Sequence, residues 1–209
     1  TEPHCGTDLG LMRTKAEPQA DGTYKITGEK IFISAGEHDM ADNIIHLVLA
    51  RLPDAPPGIK GVSLFIVPKP RGGGHGFQFT QEAGAAGRVG KMEGRAIDTI
   101  GYRGMHSYEV ALEDWWVPAA NLIGEADGVG KGFFFQMAGF ENGRLQTAAR
   151  AVGVMQSALE QAREYANNRV VFGENIAEFQ LTQAKLARMA VIIQGARQYS
   201  FEVARLMAK

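Results

Sequence analysis

The hydrophobic pattern of this chain changes its period once, and that change limits the possible folds more than any other feature. Up to about Pro118, short apolar segments rich in β-branched residues are separated by turns, whereas from about Gly128 apolar residues recur every three or four positions. The first pattern is typical of strands and the second of helices. The sequence therefore predicts an α+β fold, with an antiparallel β-barrel domain over residues 1–118 followed by part of an antiparallel helical bundle over residues 119–209.

Each part has a predicted internal organisation. The predicted strands cover residues 23–27, 30–34, 44–50, 62–67 and 108–112. Turns about every ten residues favour a small barrel or sandwich. Two helices of roughly 30 residues, about 45 Å each, are predicted on either side of a turn at 167–173, and they need further helices to cover both faces. The glycine-rich segment 72–94 is expected to be a surface loop or a mobile insertion.

Composition excludes several classes of protein. Lys and Arg number 22 and Asp and Glu 23, so a formal net charge of -1 provides no general attraction for nucleic acid or anionic membranes. No apolar run approaches the ~18 residues of a membrane span, and the expected location is the cytoplasm or an organelle matrix. The single cysteine, Cys5, excludes an internal disulfide and is expected to be a small buried or half-buried residue rather than a nucleophile.

Common cofactor and metal motifs are missing from the sequence. The 26 glycines are about one residue in eight, yet the segment at 128–132 (GVGKG) lacks the spacing of a dinucleotide-binding loop. The five histidines show no metal-ligand spacing, so no metal site is predicted.

The segment at 1–10 (TEPHCGTDLG) combines hydroxyl groups, glycines and backbone donors in one loop. Such a loop can hold a flavin edge or a phosphate through unpaired N–H groups. The same composition is typical of an ordinary turn, and the residues alone leave both interpretations open.

Five motifs occur in the order in which the acyl-CoA dehydrogenases carry them. They are TEPHCGTD at 1–8, KIFISAG at 30–36, LEDWWVP at 112–118, GFENGR at 139–144, and YANNRVVFG at 165–173 followed by Phe179 and Gln180. The chain resembles the middle domain and the first part of the C-terminal domain of that family. Within the family, residues 1–39 are most similar to the branch that includes 3-methylmercaptopropionyl-CoA dehydrogenases.

The resemblance implies a fold and a reaction. The fold would be the middle β-barrel plus the first two helices of a four-helix bundle. The ligands would be FAD and an acyl-CoA thioester, with a glutamate removing the α-proton and the β-hydride passing to flavin N5. It further implies an electron-transfer acceptor and a homo-oligomer, either a dimer or a tetramer.

The resemblance also assigns site residues. The flavin-binding set is Thr1, Gly6, Thr7, Phe32, Ile33 and Ser34, with Arg169, Phe172 and Gln180 serving the FAD of a neighbouring subunit. The substrate-binding set is Thr7, Glu141 and Arg144.

The catalytic base has no candidate in this chain. Some members carry the glutamate directly before the helix arginine, where this sequence has Gly143, and in others it lies further downstream. The base is therefore expected outside the chain, which would be catalytically incomplete. Two alternatives stay open: a repurposed family flavoprotein that binds nucleic acid, which would lack that glutamate, and an acyl-CoA oxidase, whose reduced flavin would react readily with oxygen.

Overall fold

The computed structural model of the chain describes residues 1–70, 77–82 and 89–208. They form two compact units, Thr1–Met137 and Ala138–Lys209. The first unit is a β-sheet with its connecting loops, and it also holds the first residues of the first long helix. Phe133 on that helix packs against a hydrophobic cluster of the sheet, which explains why the helix start belongs to the first unit.

A seven-stranded sheet dominates the first unit. Its strands are β1 (Lys15–Pro18), β2 (Thr23–Ser34), β3 (Ile45–Arg51), β4 (Val62–Pro68), β5 (Gln78–Glu82), β6 (Val89–Ile97) and β7 (Ser107–Pro118). They are ordered β4-β3-β1-β2-β7-β6-β5. Every neighbouring pair is antiparallel except β1 and β3, which meet in parallel at Lys15 and Arg51. The predicted α+β class with an antiparallel sheet is confirmed.

The sheet is curled but not closed by hydrogen bonds. Among the described residues β4 and β5 are its edges, so the predicted barrel lacks the last strand pairing. All seven strands nevertheless contribute to one core cluster, in which Phe65 of β4 and Phe79 of β5 are both buried. The ammonium group of Lys69, just after β4, lies 4.9 Å from the ring centre of Phe77, just before β5. The two edges therefore face the same core.

The two strands predicted at 23–27 and 30–34 are one continuous strand, β2. The glycine between them, Gly28, does not end the strand. A Cβ atom at this position would lie 2.2 Å from Oγ1 of Thr14, so glycine permits the segment before β1 to pass close to the strand.

The expectation of a surface loop over 72–94 is wrong for part of that segment. Strand β5 and the beginning of β6 occupy it, and Phe77 and Phe79 are buried in the core. Two large aromatic side chains bury enough apolar surface to anchor a strand that is otherwise poor in apolar residues. Residues 72–76 and 83–88 lie outside the described part of the chain.

The second unit contains most of a long helix, a small hairpin and a second helix. They are α1 (Gly132–Asn168), β8 (Val170–Val171), β9 (Glu174–Asn175) and α2 (Gln180–Met207). The two predicted helices and the turn between them are confirmed. The guanidinium of Arg197 donates to the side-chain oxygen of Gln156 at 3.0 Å, which joins the two helices. In the described part of the chain, neither helix has a stretch long and apolar enough to cross a membrane.

Candidate functional site

A break in the regular pairing of β2 with β7 presents an aromatic side chain. The register shifts between Lys30 and Ile33, and Phe32 within this bulge has a φ of 58°. The left-handed region costs a non-glycine residue on the order of 1–3 kcal/mol, and such strain occurs often at functional sites. Phe32 is also 61% exposed, so burial of its ring does not compensate for the strain. The bulge therefore holds an aromatic face open to solvent.

The neighbours of Phe32 divide between the core and the surface. Ile33 packs against the main core cluster, whereas Ser34 is exposed. The Phe32 ring and the Ser34 hydroxyl are thus available to a ligand, whereas the Ile33 side chain packs on the core side.

The N-terminal loop, residues 1–7, is bonded to the bulge. The amide of Ile31 donates to the carbonyl oxygen of Thr1 at 3.1 Å, and the Thr1 hydroxyl donates to the carbonyl oxygen of Ile31. Glu2 and Cys5 exchange backbone hydrogen bonds of 2.8 and 3.0 Å, which close the loop into a tight turn. Thr1 therefore lies beside the residue that precedes Phe32.

The exposed end of this loop carries Gly6 and Thr7. A Cβ atom at Gly6 would lie 3.3 Å from Cγ2 of Thr1, so Gly6 packs close to the start of the loop. Within the described residues the amides of Gly6 and Thr7 donate to no backbone or side-chain acceptor. The loop thus offers two N–H groups and a hydroxyl next to the strand that presents Phe32, a donor set suited to an anionic or carbonyl-rich ligand.

Glu2 anchors the loop to strand β2 and to the segment before β1. Its carboxylate accepts hydrogen bonds from the Arg13 amide at 2.7 Å, from the Thr14 amide at 3.1 Å and hydroxyl at 2.6 Å, and from Nζ of Lys30 at 2.8 Å. Burial alone would raise the pKa of Glu2, but these bonds outweigh it and lower that pKa from 4.5 to about 2. Glu2 is therefore ionised in the folded chain at neutral pH.

Lys30 is the partner of Glu2 and was missed in reasoning from the sequence. Its Nζ also lies 2.7 Å from the Leu49 carbonyl oxygen and 3.3 Å from Sδ of Met12, so its three protons all have acceptors. Burial lowers the pKa of Lys30. Lys30 lies four positions after the buried Ile26 in β2, and this spacing was the available signal, since alternate strand residues share a face.

The same loop brings three possible metal ligands together. Glu2, His4 and Cys5 each place one ligand atom within 4.8 Å of the others. Cys5 is buried, as expected. Both oxygens of Glu2 already accept hydrogen bonds, so this carboxylate is committed to holding the loop.

A cavity of about 240 Å³ lies inside the curled sheet, and Ser34 and His46 contribute to its wall. Nε2 of His46 is buried there without a hydrogen-bond partner among the described residues. Burial, assisted by the charge of Lys69, lowers the pKa of His46 to about 4. His46 is therefore neutral in the folded chain at neutral pH.

The predicted site residues of the second unit form two separate groups. Glu141 and Arg144 are exposed near the beginning of α1, whereas Arg169, Phe172 and Gln180 surround the hairpin beyond its end. At 1.5 Å per residue, Arg144 and Arg169 are separated by about 38 Å along the helix direction. One subunit therefore cannot bring both arginines to the same ligand group.

The hairpin presents a second strained aromatic residue. Phe172 and Gly173, the two residues between β8 and β9, have φ values of 55° and 85°, as a tight two-residue turn of this kind requires. Phe172 is 95% exposed. The turn therefore projects an aromatic side chain away from its own unit.

Comparisons with known proteins agree with this organisation. Residues 1–115 match the model of the acyl-CoA dehydrogenase middle domain, and residues 130–209 match that of the acyl-CoA dehydrogenase C-terminal domain. The chain is 38% identical to (2S)-methylsuccinyl-CoA dehydrogenase from Cereibacter sphaeroides, over 98% of this chain and 34% of that protein. It is also 38% identical to 3-methylmercaptopropionyl-CoA dehydrogenase from Ruegeria pomeroyi, over 81% of this chain and 27% of that protein.

A solved structure is similar to this chain over almost its whole length. Butyryl-CoA dehydrogenase from Megasphaera elsdenii is 34% identical, with a TM-score of 0.76 over 97% of this chain and 46% of that chain. The chain thus spans less than half the length of each of these relatives. Two consecutive domain models cover almost all of it, and the chain belongs to the acyl-CoA dehydrogenase family.

Proposed function

We propose that this chain is part of an enzyme that catalyses the FAD-dependent α,β-dehydrogenation of an acyl-CoA thioester. The observation that carries the proposal is the junction of the N-terminal loop with the bulge of β2. There the Phe32 ring and the Ser34 hydroxyl on β2 lie on a segment that is hydrogen-bonded to the N-terminal loop. The loop adds the Thr7 hydroxyl and the unpaired amides of Gly6 and Thr7. The relatives are named as dehydrogenases of acyl-CoA thioesters, which supports the same chemistry.

The residues present suit a flavin. In the proposal the Phe32 ring packs against the isoalloxazine, as aromatic rings do in stacked or tilted pairs. The Ser34 hydroxyl and the backbone of Ile33 donate at its polar edge, and Thr1, Gly6 and Thr7 border the cofactor along the loop. When bound, FAD would supply the hydride acceptor.

The second unit has two proposed roles. Arg144 and Glu141 hold the polar part of the CoA thioester. Arg169, Phe172 and Gln180 contact the FAD of a neighbouring subunit, where a guanidinium fork suits a pyrophosphate. The separation of about 38 Å between the two arginines supports this division of roles. The homo-oligomer in the proposal rests on the family resemblance.

Proton removal in the proposal belongs to a glutamate outside this chain, since Gly143 precedes Arg144. Hydrogen bonds to the thioester carbonyl would lower the pKa of the α-proton enough for a carboxylate to remove it. The proposal also includes an electron-transfer acceptor as a partner. The cellular location, cytoplasm or mitochondrial matrix, belongs to the same proposal.

The test is the visible spectrum of the full-length protein. We expect a yellow protein that releases FAD on denaturation and is bleached under anaerobic conditions by one member of an acyl-CoA panel. A folded, colourless protein that cannot be reconstituted with FAD would contradict the proposal. Slow reoxidation of the bleached protein by oxygen is expected for a dehydrogenase, and rapid reoxidation would instead identify an oxidase.

A further inference from the structure

We propose that the buried ion pair of Lys30 and Glu2 is a positioning device, which sets the distance between the N-terminal loop and the bulge that presents Phe32. The inference rests on the proposed flavin site and adds two residues that the sequence motifs had not assigned to it. Neither side chain is exposed to a ligand, so both act through the segments that they join.

Lys30 occupies a position in β2 close to the bulge. Lys30 lies two residues before Phe32, and between them Ile31 is bonded on both sides to Thr1. Glu2 directly follows Thr1 in the loop. Two neighbouring loop residues are therefore tied to the two residues of β2 that precede the strained Phe32.

The contact between Lys30 and Glu2 is also stiff. A buried charge is costly unless its hydrogen bonds are complete, and here both partners have full sets. A shift of the loop relative to the strand would expose or orphan a charge. The ion pair therefore resists small displacements more strongly than an apolar contact, which tolerates sliding.

The stability of the fold alone does not require a charge at position 30. Lys30 is buried beside Met12, within reach of a smaller hydrophobic cluster formed by Cys5, Leu9, Met12, Leu49, Val62 and Leu64. Apolar side chains of similar volume often replace buried ion pairs without loss of stability. What an apolar side chain cannot do is bind Glu2 and the Leu49 carbonyl at fixed distances.

The test compares Lys30→Met with the unmodified full-length protein. The measurements are the dissociation constant for FAD, the visible circular dichroism of the bound flavin and the melting temperature. We expect FAD binding to weaken on the order of tenfold, the lower end of the loss found when residues that orient metal ligands are replaced, together with a changed flavin spectrum. Val117→Ala is the matched control. Val117 is buried in β7, where it pairs with Tyr24 at the end of β2 that is distant from Phe32. This variant should therefore lower the melting temperature and leave both flavin measurements unchanged.

A second variant covers the possibility that Lys30→Met does not fold. Glu2→Gln keeps the size and the acceptor oxygen but removes the charge, and we expect it to weaken FAD binding several-fold. If either folded variant keeps the FAD affinity and the flavin spectrum of the unmodified protein, the positioning role is overturned while the proposed function stands. If the unmodified protein binds no FAD, the proposed function fails, and this inference fails with it.

Discussion

Nζ of Lys30 lies 2.8 Å from Oε1 of Glu2, and both side chains are almost completely withdrawn from solvent. Because the pKa of Glu2 is lowered to about 2 in the folded chain from 4.5, its ionisation stabilises the fold above pH 4.5. That contribution, about 3 kcal/mol, is lost as the pH falls from 4.5 towards 2. Urea unfolding at successive pH values should show this loss, and Glu2→Gln should abolish it.

The exposed pair of Glu202 and Arg205 is the control for the acid prediction. Exposed ion pairs contribute about 1 kcal/mol or less, so Glu202→Gln should leave the acid profile of the parent almost unchanged. If the Glu2→Gln and parent profiles run parallel between pH 4.5 and 2, Glu2 is not the group responsible.

His46 predicts a second, separate pH window. Its pKa is lowered by burial to about 4 from 6.5, so the folded chain favours the neutral ring. The free energy of unfolding therefore has its full value above pH 6.5 and falls by about 3 kcal/mol as the pH decreases towards 4. In the His46→Gln variant, the free energy of unfolding measured with urea should no longer depend on pH in this window. The loss of stability below pH 4.5, which belongs to Glu2, should remain. An unchanged slope between pH 6.5 and 4 would refute the prediction.

Phe32 should show opposite effects on stability and on binding. Glycine adopts a φ of 58° without strain, so Phe32→Gly should stabilise the apo-protein by about 1 kcal/mol. The loss of the ring should weaken FAD binding on the order of tenfold. Both are measurable by urea unfolding and by FAD titration.

Tyr102 provides a matched comparison for Phe32. It is an exposed aromatic residue with a φ of 63° in the connection between β6 and β7, which contributes no residue to the proposed flavin site. Tyr102→Gly should give a similar gain in stability with unchanged FAD affinity. Equal losses of FAD affinity in the two variants would contradict the assignment of Phe32 to the flavin site.

The two arginines of the second unit should separate substrate binding from cofactor binding. Arg144→Gln is expected to raise the KM for acyl-CoA about tenfold, and Arg169→Gln to weaken FAD binding by a similar factor, since each loses a charge-assisted hydrogen bond. Steady-state kinetics and FAD titration distinguish the two effects. Arg188→Gln, an exposed arginine of α2, is the control. Identical changes in both variants would argue against separate sites.

Much of the fold could be predicted because its signals are local. The short apolar runs at residues 44–50 and 62–67 and the helical period after Gly128 each depend on neighbouring residues, and the structure has strands and helices there. Strand β5 was not predictable in this way, because its stability comes from Phe77 and Phe79 meeting a core built by distant strands.

The candidate site, like the fold, could be predicted only in part from the sequence. The sequence by itself determined the family motifs, and with them the N-terminal loop, the strand with Phe32 and Ser34, and the hairpin between two helices. Only the tertiary structure decided that Thr1 bonds to Ile31, that Phe32 adopts a left-handed backbone, and that Lys30 reaches Glu2 across 28 positions of the chain. The physical reason is that buried charges and strained backbones are stabilised by partners distant in sequence, which a local pattern does not specify.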